Sequence, residues 1–503
     1  MAVTDITYDD LDRASRTTQS LTAAEGGSRI TDTVYNLDDS VNNVKRAVGS
    51  AVAQTYATYS YTNNGLLASL KDAKNNLTSY QYDGHDRKVK TFYPNPTTAG
   101  TASTTDYEQY GFDANSNLTS LRKRNGQSIT LAYDKLNRLT SRVYPATADN
   151  VSYVYDLLGR RLSATGSTAA DNVAYTYDNA GRLTSTTVNA TTNAKTLAYQ
   201  VDAAGNRTRT TWPEATPFYV TTTYDALNRP TAIQELGTTS LASYAYDDLS
   251  RRTTVTLGNG TTTTTAYDNQ AALSSLAHNL TGTAQDQTYG YTRNQARELT
   301  GHSWSNDAYQ WAGLTAVAGG PTNVSKSYTA NGLNQYTAAA GATIAYDANG
   351  NLTGDSIWTY GYDLNNRLKT ASKSGTTAAL AYDAEGRLRQ SVITAGATAT
   401  SNLLYDGVDL VAEYDAANVL QRRYVHGPGV DEPLVVYEGA TTAATAKSWF
   451  YADHLGSIIG TANATGTSTA IYGYGPYGEP NTLTGQRFRY TGQQLIGQLG
   501  LYY

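Results

Sequence analysis

The sequence predicts an all-β protein, built as a repetitive array of β-hairpins. Three observations predict it: the dipeptide Tyr-Asp occurs thirteen times, it returns at nearly constant spacing, and the segments around it are rich in Tyr and Thr. From Phe112 to Tyr267 successive copies, with the degenerate Phe112-Asp113 and Val201-Asp202 included, lie 21, 22, 22, 24, 23, 22 and 21 residues apart. A fixed period of this size is typical of arrays in which each unit packs on its neighbours.

A tight turn is predicted directly after each Tyr-Asp pair. Several copies read Asp-x-x-Gly, which is typical of a type I turn: the Asp carboxylate can accept backbone N–H groups, and Gly tolerates a positive φ. Where Gly is missing, as at Asn137, Asn is the next best residue for that conformation. The structural turn residues that this pattern selects are Tyr133, Asp134, Tyr155, Asp156, Gly159, Tyr177, Asp178, Gly181, Tyr382, Asp383 and Gly386.

The segments on either side of the turn are predicted strands. Tyr residues stand two apart before the turn, as at Tyr153/Tyr155 and Tyr175/Tyr177, and this period places both rings on one face of a strand. Arg-Leu-Thr or Asn-Leu-Thr follows the turn and leads into Thr-rich stretches, and both Thr and Tyr favour strands. Each unit of about 22 residues is therefore two strands and two turns.

The composition bears on how such a sheet packs. Leu, Ile, Val and Phe together make up only 84 of the 503 residues, whereas Tyr alone contributes 42. The regular aromatics and the small net charge of −5 oppose disorder. A packed sandwich would be short of aliphatic side chains for its inward faces. The composition therefore favours a sheet whose faces meet water or a polar interior, in a single-layer, curved and hollow architecture.

A second region is predicted near the C-terminal end. The chain divides into a YD-repeat hairpin array at 1–400 and a different region at 401–503, where aliphatic residues become denser, as at Leu434-Val435-Val436. Two new motifs follow in this region. Their residues are Asp453, His454, Leu455, Gly456, Tyr474, Pro476, Tyr477 and Gly478.

These motifs carry a resemblance to a known family. The Tyr-Asp repeats, Asp-His-Leu-Gly at 453–456 and Tyr-Gly-Pro-Tyr-Gly-Glu at 474–479 resemble those of bacterial RHS/YD-repeat proteins, and 401–503 resembles their RHS-repeat-associated core. The resemblance implies a hollow shell of spiralling sheet, with the core as plug or closure at one end. It also implies secretion or association with the cell surface, and a C-terminal toxin cargo or secretion machinery as partner.

The sequence departs from the family at its C-terminal end. Family cores usually continue past Gly-Leu-Tyr-Tyr into a self-cleavage segment and a variable toxin, whereas this chain ends at Tyr503. We therefore expect a chain truncated before the self-cleavage and toxin region, and we assign no catalytic residue. The expected function is structural rather than enzymatic: an encapsulation shell of an RHS-type polymorphic toxin that encloses C-terminal cargo for delivery.

Other sites and functions are weighed against this one. The chain has no Cys, and its five His lack ligand spacing, so neither a metal site nor a cofactor is expected. No apolar run approaches the roughly 20 residues of a membrane span, no signal peptide is visible, and the mildly acidic total argues against nucleic acid as partner. Two alternatives stay open: adhesion or carbohydrate binding at a cell surface or outside the cell, and self-association into a filament through unpaired sheet edges.

Overall fold

The structure is a computed structural model that describes residues 3–23, 26–189, 193–311 and 327–503. These residues form β-strands joined by tight turns and by short 3-10 segments, and no α-helix occurs among them. The prediction of an all-β chain of repeated hairpins is therefore confirmed. In the same ranges, no helix is both long enough and apolar enough to span a membrane.

The strands follow one another closely along the chain. Strands β1 to β12 are Val3–Tyr8, Ala14–Ser20, Arg29–Tyr35, Val41–Arg46, Gln54–Tyr61, Leu67–Asp72, Leu77–Tyr82, Lys88–Pro94, Ala102–Phe112, Leu118–Arg122, Ser128–Tyr133 and Leu139–Val143. Strands β13 to β26 are Val151–Tyr155, Arg161–Thr165, Val173–Tyr177, Leu183–Val188, Lys195–Val201, Arg207–Thr211, Tyr219–Tyr224, Pro230–Glu235, Thr239–Tyr246, Arg252–Leu257, Thr262–Tyr267, Leu273–Asn279, Gln287–Arg293 and Leu299–Trp304. Strands β27 to β33 are Tyr328–Ala330, Tyr336–Ala339, Ala342–Thr343, Ala345–Tyr346, Leu352–Gly354, Thr359–Tyr362 and Leu368–Lys373. Strands β34 to β44 are Thr376–Tyr382, Leu388–Ala395, Ala397–Asp406, Asp409–Tyr414, Leu420–His426, Pro433–Glu438, Lys447–Ala452, Ile458–Ala462, Ser468–Ile471, Leu495–Ile496 and Leu501–Tyr502.

The chain divides into two compact units. Unit A comprises the described residues within 3–150, 293–300 and 327–368. Unit B comprises those within 151–292, 301–311 and 369–503. Both units contain Tyr-Asp hairpins, and unit B also contains the whole of the 401–503 region.

The hairpins of unit A pair in chain order. Each strand from β1 to β12 pairs antiparallel with the next one along the chain. The register shifts by one residue beside most Tyr-Asp turns: Ala132 pairs with Ser141, whereas Tyr133 pairs with Leu139. One small hydrophobic cluster among the described residues of this unit consists of Ile129, Tyr144 and Leu364.

Unit B has a larger buried core. Strands β13 to β25 pair consecutively, as do β34 to β42, and one cluster of buried side chains draws on both sets of strands. Leu197, Phe218 and Leu241 come from the first set, and Val435 and Trp449 from the second. The scarcity of aliphatic residues in the whole chain did not predict this buried face, because its members come from strands that lie far apart in the sequence.

Candidate functional site: the repeat turns and the 453–478 motifs

The Tyr-Asp turn is held by one carboxylate, as the turn at Asp178 shows. Its Oδ1 accepts the backbone N–H groups of Ala180 and Arg182 at 2.9 Å each, and its Oδ2 accepts Nε of Arg182 at 2.7 Å. Gly181 has a φ of +84°. The backbone N–H groups and the Arg182 guanidinium lower the pKa of Asp178, so the carboxylate stays ionised and keeps these bonds.

The other turns singled out in the sequence have the same geometry. The carboxylates accept Nε of the Arg four residues later in the pairs Asp134–Arg138 (2.7 Å), Asp156–Arg160 (2.5 Å) and Asp383–Arg387 (2.7 Å). The left-handed position is held by Asn137 at φ +59°, Gly159 at +83° and Gly386 at +88°. Sequence reasoning missed the Arg of these turns as a partner of the Asp, although the spacing Asp-x-x-x-Arg is visible in each of the four turns at Asp134, Asp156, Asp178 and Asp383.

The surroundings of the turn change the acidity of its Asp. In unit A the Arg87 side chain holds the pKa of Asp83 at about 2. In unit B burial raises the pKa of Asp383 above its ordinary value, even though Arg387 makes the equivalent ion pair. The hydrogen bond between the Asp carboxylate and the Arg side chain is thus the same in both turns, while the burial of the carboxylate differs.

Successive repeats are tied in both directions along the chain. The hydroxyl of Tyr177 donates to the carbonyl of Arg161 in the preceding hairpin at 2.9 Å, and Nη1 of Arg182 donates to the carbonyl of Asp202 in the next turn at 2.6 Å. The backward contact recurs at Tyr35, Tyr61, Tyr82, Tyr224, Tyr246 and Tyr267. The forward contact recurs at Arg13, Arg87, Arg160 and Arg387.

The remaining tyrosines of the turn set also end strands. Tyr133 ends β11, and Tyr155 ends β13 and hydrogen-bonds to Arg161. Tyr382 ends β34, and its ring centroid lies 6.4 Å from that of Tyr503.

The 453–456 motif forms a turn of the same kind, but the residue four positions after its Asp is Ser457 rather than Arg. Oδ1 of Asp453 accepts the N–H groups of Leu455 and Ser457 at 2.9 Å each, and Gly456 has a φ of +81°. Burial raises the pKa of Asp453. Ser457 supplies no positive charge at the position that Arg182 holds in the Asp178 turn. The exposed His454 ring lies 4.7 Å from that of Tyr291.

The 474–478 motif packs around Tyr490. The Tyr474 hydroxyl donates to the carbonyl of Ile458 at 2.6 Å, and the rings of Tyr474 and Tyr490 lie 5.6 Å apart. Gly478 has a φ of +84°, and a Cβ there would lie 2.6 Å from Cδ1 of Tyr490. Only Gly therefore fits this position.

The structure brings most of the two motifs to one cleft within unit B. Asp453, His454, Leu455, Tyr474 and Pro476 all line this cavity of about 450 Å³. Gly456 and Gly478 shape the adjoining turns. Tyr477 lies outside it and points to solvent, with 83% of its surface exposed.

Buried ion pairs in unit B had no signal in the sequence. Nε and Nη2 of Arg487 donate to the two oxygens of Glu413 at 2.8 Å and 2.7 Å, and both side chains are largely shielded from solvent. Lys447 lies 2.7 Å from Glu235, which also accepts the hydroxyl of Tyr437 at 2.6 Å. These partners are 74 to 212 residues apart in sequence, so no local pattern could pair them.

His278 is packed inside unit B. His278 is fully buried, with Nδ1 2.9 Å from the Thr263 hydroxyl and Nε2 3.0 Å from the Ala452 carbonyl. Burial lowers the pKa of His278 to about 4, so the ring is neutral at pH 7. No group of three or more His, Asp or Glu side chains in the described ranges could hold a metal ion.

The fold and these turns define a class, the tandem β-hairpin repeat proteins. The family profile described as RHS Repeat matches residues 112–149 and 224–262. The chain is an RHS/YD-repeat protein.

Curated relatives agree with this assignment. The tRNA3(Ser)-specific nuclease WapA of Bacillus spizizenii is 30% identical over 200 residues, which are 38% of this chain and 8% of that protein. The tRNA nuclease WapA of Bacillus subtilis strain 168 is 30% identical over 185 residues, 34% of this chain and again 8% of that protein. This chain therefore corresponds to a small part of the length of these relatives.

Solved structures with a similar chain come from toxin complexes. The crystal structure of TcdB2-TccC3-Cdc42 aligns over 99% of this chain and 25% of that one, with 16% identity and a TM-score of 0.43. A Photorhabdus luminescens Tc holotoxin pore structure gives the same identity, coverage and TM-score.

Proposed function

We propose that this chain is a structural part of an RHS-type toxin, an encapsulation shell that encloses a C-terminal cargo for delivery. The observation that supports this most is the pair of recurring hydrogen bonds between successive repeats. The Tyr hydroxyl donates to a carbonyl of the preceding hairpin, and the Arg guanidinium donates to a carbonyl of the next turn. Because the ties recur from repeat to repeat, they hold each hairpin at a constant offset from the last, which a regularly curving sheet requires. The partner would be the cargo or a secretion machinery, and the protein would act outside the cell or at its surface.

The proposal assigns no catalysis to this chain. The turn carboxylates are engaged by backbone N–H groups and Arg, and Glu413 and Glu235 are engaged by Arg487 and Lys447. Carboxylates held in this way stabilise structure rather than transfer protons. The relatives are named nucleases as whole proteins, and a match to 8% of their length does not locate that activity in this part.

In this proposal residues 1–400 build the wall and 401–503 close one end. The buried cluster shared between the earlier and later strands of unit B supports it, because Trp449 donates its indole N–H to the carbonyl of Leu241 at 3.1 Å and Trp212 does the same to Val411 at 3.0 Å. A closing element needs such direct attachment to the wall.

Small-angle scattering over a dilution series tests enclosure. A solid particle of this length has a radius of gyration of about 23 Å. We expect a larger value that does not change with concentration. A value that matches the solid particle contradicts enclosure, and growth with concentration favours filament assembly instead.

A protection assay tests the cargo. A protease-sensitive reporter is fused to Tyr503 in one version and to the N-terminus in a matched control. We expect the C-terminal reporter to survive digestion that destroys the N-terminal one. Equal digestion of both reporters contradicts encapsulation by this chain and leaves adhesion as the alternative to pursue.

A further inference from the structure

The cleft at the 453–478 motifs has the size and the aromatic lining of a ligand-binding site. Its volume of about 450 Å³ falls in the range of small-molecule pockets. Most of the wall is aromatic. Two Trp and five Tyr side chains line it: Trp304, Trp311, Tyr289, Tyr309, Tyr472, Tyr474 and Tyr490.

The fixed charge among the lining residues of the cleft is negative. The carboxylate of Asp453 lines it, and the described lining residues include no Lys and no Arg. His302 and His454 lie on the same wall, with ring centroids 5.6 Å apart. Arg489 does not line the cleft, but its guanidinium stacks on the ring of the lining residue Tyr472, with Cζ 3.3 Å from the ring centroid. The remaining ring faces and the carboxylate attract cations.

The polar atoms of the aromatic residues are mostly used by the protein. The hydroxyl of Tyr309 donates to the carbonyl of Gln285 at 2.7 Å, and the indole N–H of Trp304 donates to Asp307 at 3.0 Å. The Tyr474 hydroxyl is likewise held by a backbone carbonyl. The rings therefore offer faces and edges more than hydrogen bonds, which suits a sugar poorly because its hydroxyls need several polar partners.

We propose that this cleft binds a small organic cation of the quaternary or alkylated ammonium class. The cation would lie against the faces of the indole and phenol rings, within reach of the Asp453 carboxylate. Attraction between a desolvated ammonium group and such rings is the dominant interaction in aromatic cages of this kind. The site is independent of encapsulation and would exist whether or not the chain encloses a cargo.

Isothermal titration calorimetry on the full chain tests the site with two probes of the same shape. Choline is the cation, and 3,3-dimethylbutanol is its neutral analogue. We expect choline to bind at least about tenfold more tightly, because only the charged probe gains the cation–π and carboxylate interactions. Equal binding of both probes, or no heat from millimolar choline with folded protein, overturns the proposal.

The variant Asp453→Asn removes the charge and preserves the turn. The amide oxygens of Asn331 and Asn463 already accept backbone N–H groups in equivalent turns, at 2.9 Å and 3.0 Å. We expect the affinity for choline to fall by about tenfold while that for the neutral analogue stays the same. Unchanged choline binding by this variant contradicts the role of the carboxylate.

Two further variants, both at exposed residues, separate loss of binding from loss of folding. Trp304 is 43% exposed, so Trp304→Leu leaves the buried core intact and should weaken choline binding. Tyr477→Ala is the matched control, because Tyr477 lies next to the cleft, faces solvent and does not line it. Loss of binding in the Tyr477 variant, or full binding in the Trp304 variant, contradicts the assignment of the cleft.

Discussion

Units A and B are built from the same hairpin but are buried differently. The turn at Asp83 in unit A and the turn at Asp178 in unit B have the same carboxylate, the same Arg four residues later and the same backbone bonds. Among the described residues, the cluster around Ile129 in unit A has three buried members, whereas the cluster in unit B is extended. The hairpin therefore does not depend on a core for its conformation, and burial is added by the strands that follow it.

The largest difference between the units should appear on removal of a buried charge in unit B. Arg487→Met removes the cation that donates to both oxygens of the buried Glu413, and we expect a loss of about 4 kcal/mol in the free energy of unfolding. Urea unfolding followed by far-UV circular dichroism measures it. The control is Arg182→Met, whose pair with Asp178 is more exposed and should cost much less. Similar losses in both variants would contradict the comparison.

A core truncation should come next in size. Leu241 is fully buried in unit B, so Leu241→Ala should cost about 3 kcal/mol from lost apolar contact and the cavity left behind. Leu136→Ala, at a unit A turn with 68% of the Leu136 surface exposed, should change stability by less than about 0.5 kcal/mol. The shift in the urea midpoint checks both, and equal shifts would mean that unit B is no better packed there than a surface turn.

Acidification should weaken unit B through His278. Its folded pKa of about 4 lies below the ordinary 6.5, so between these values the unfolded chain binds more protons and stability is lost as the pH falls. The full loss corresponds to about 3 kcal/mol. His278→Gln lacks the titrating ring, and its unfolding free energy should therefore fall less between pH 7 and pH 4. Identical pH profiles for the two proteins would contradict the burial of a neutral His278.

The smallest effect concerns the turn shared by both units. Gly181→Ala forces a residue with a Cβ to keep a φ of +84°, so we expect a loss of about 1 to 2 kcal/mol. Gly84→Ala is the control, since Gly84 stands in the Asp83 turn without a positive φ and with nothing within 4 Å of an added Cβ. Thermal unfolding measures both, and an unaffected Gly181 variant would contradict the strained position of that residue.

Local features were predictable because they depend on neighbours in sequence. The positive φ at Gly181, the carboxylate bonds of Asp178 and the strands on either side follow from residues within one repeat. The extended core of unit B was not predictable, because its members come from strands about 200 residues apart. The cleft was also missed: Trp304 and Asp453 have no relation in the sequence, and only folding places them on one wall.

The sequence by itself determined the repeated hairpin, its turns and its family, since a turn of five residues carries its own hydrogen-bond partners in Asp or Asn at its start and Gly or Asn at its left-handed position. Only the tertiary structure decided which hairpins are buried, which carboxylates meet an Arg from a distant strand, and where aromatic rings converge on Asp453. Those outcomes depend on contacts between distant segments, whose pairing is selected by packing and desolvation over the whole unit rather than by local sequence.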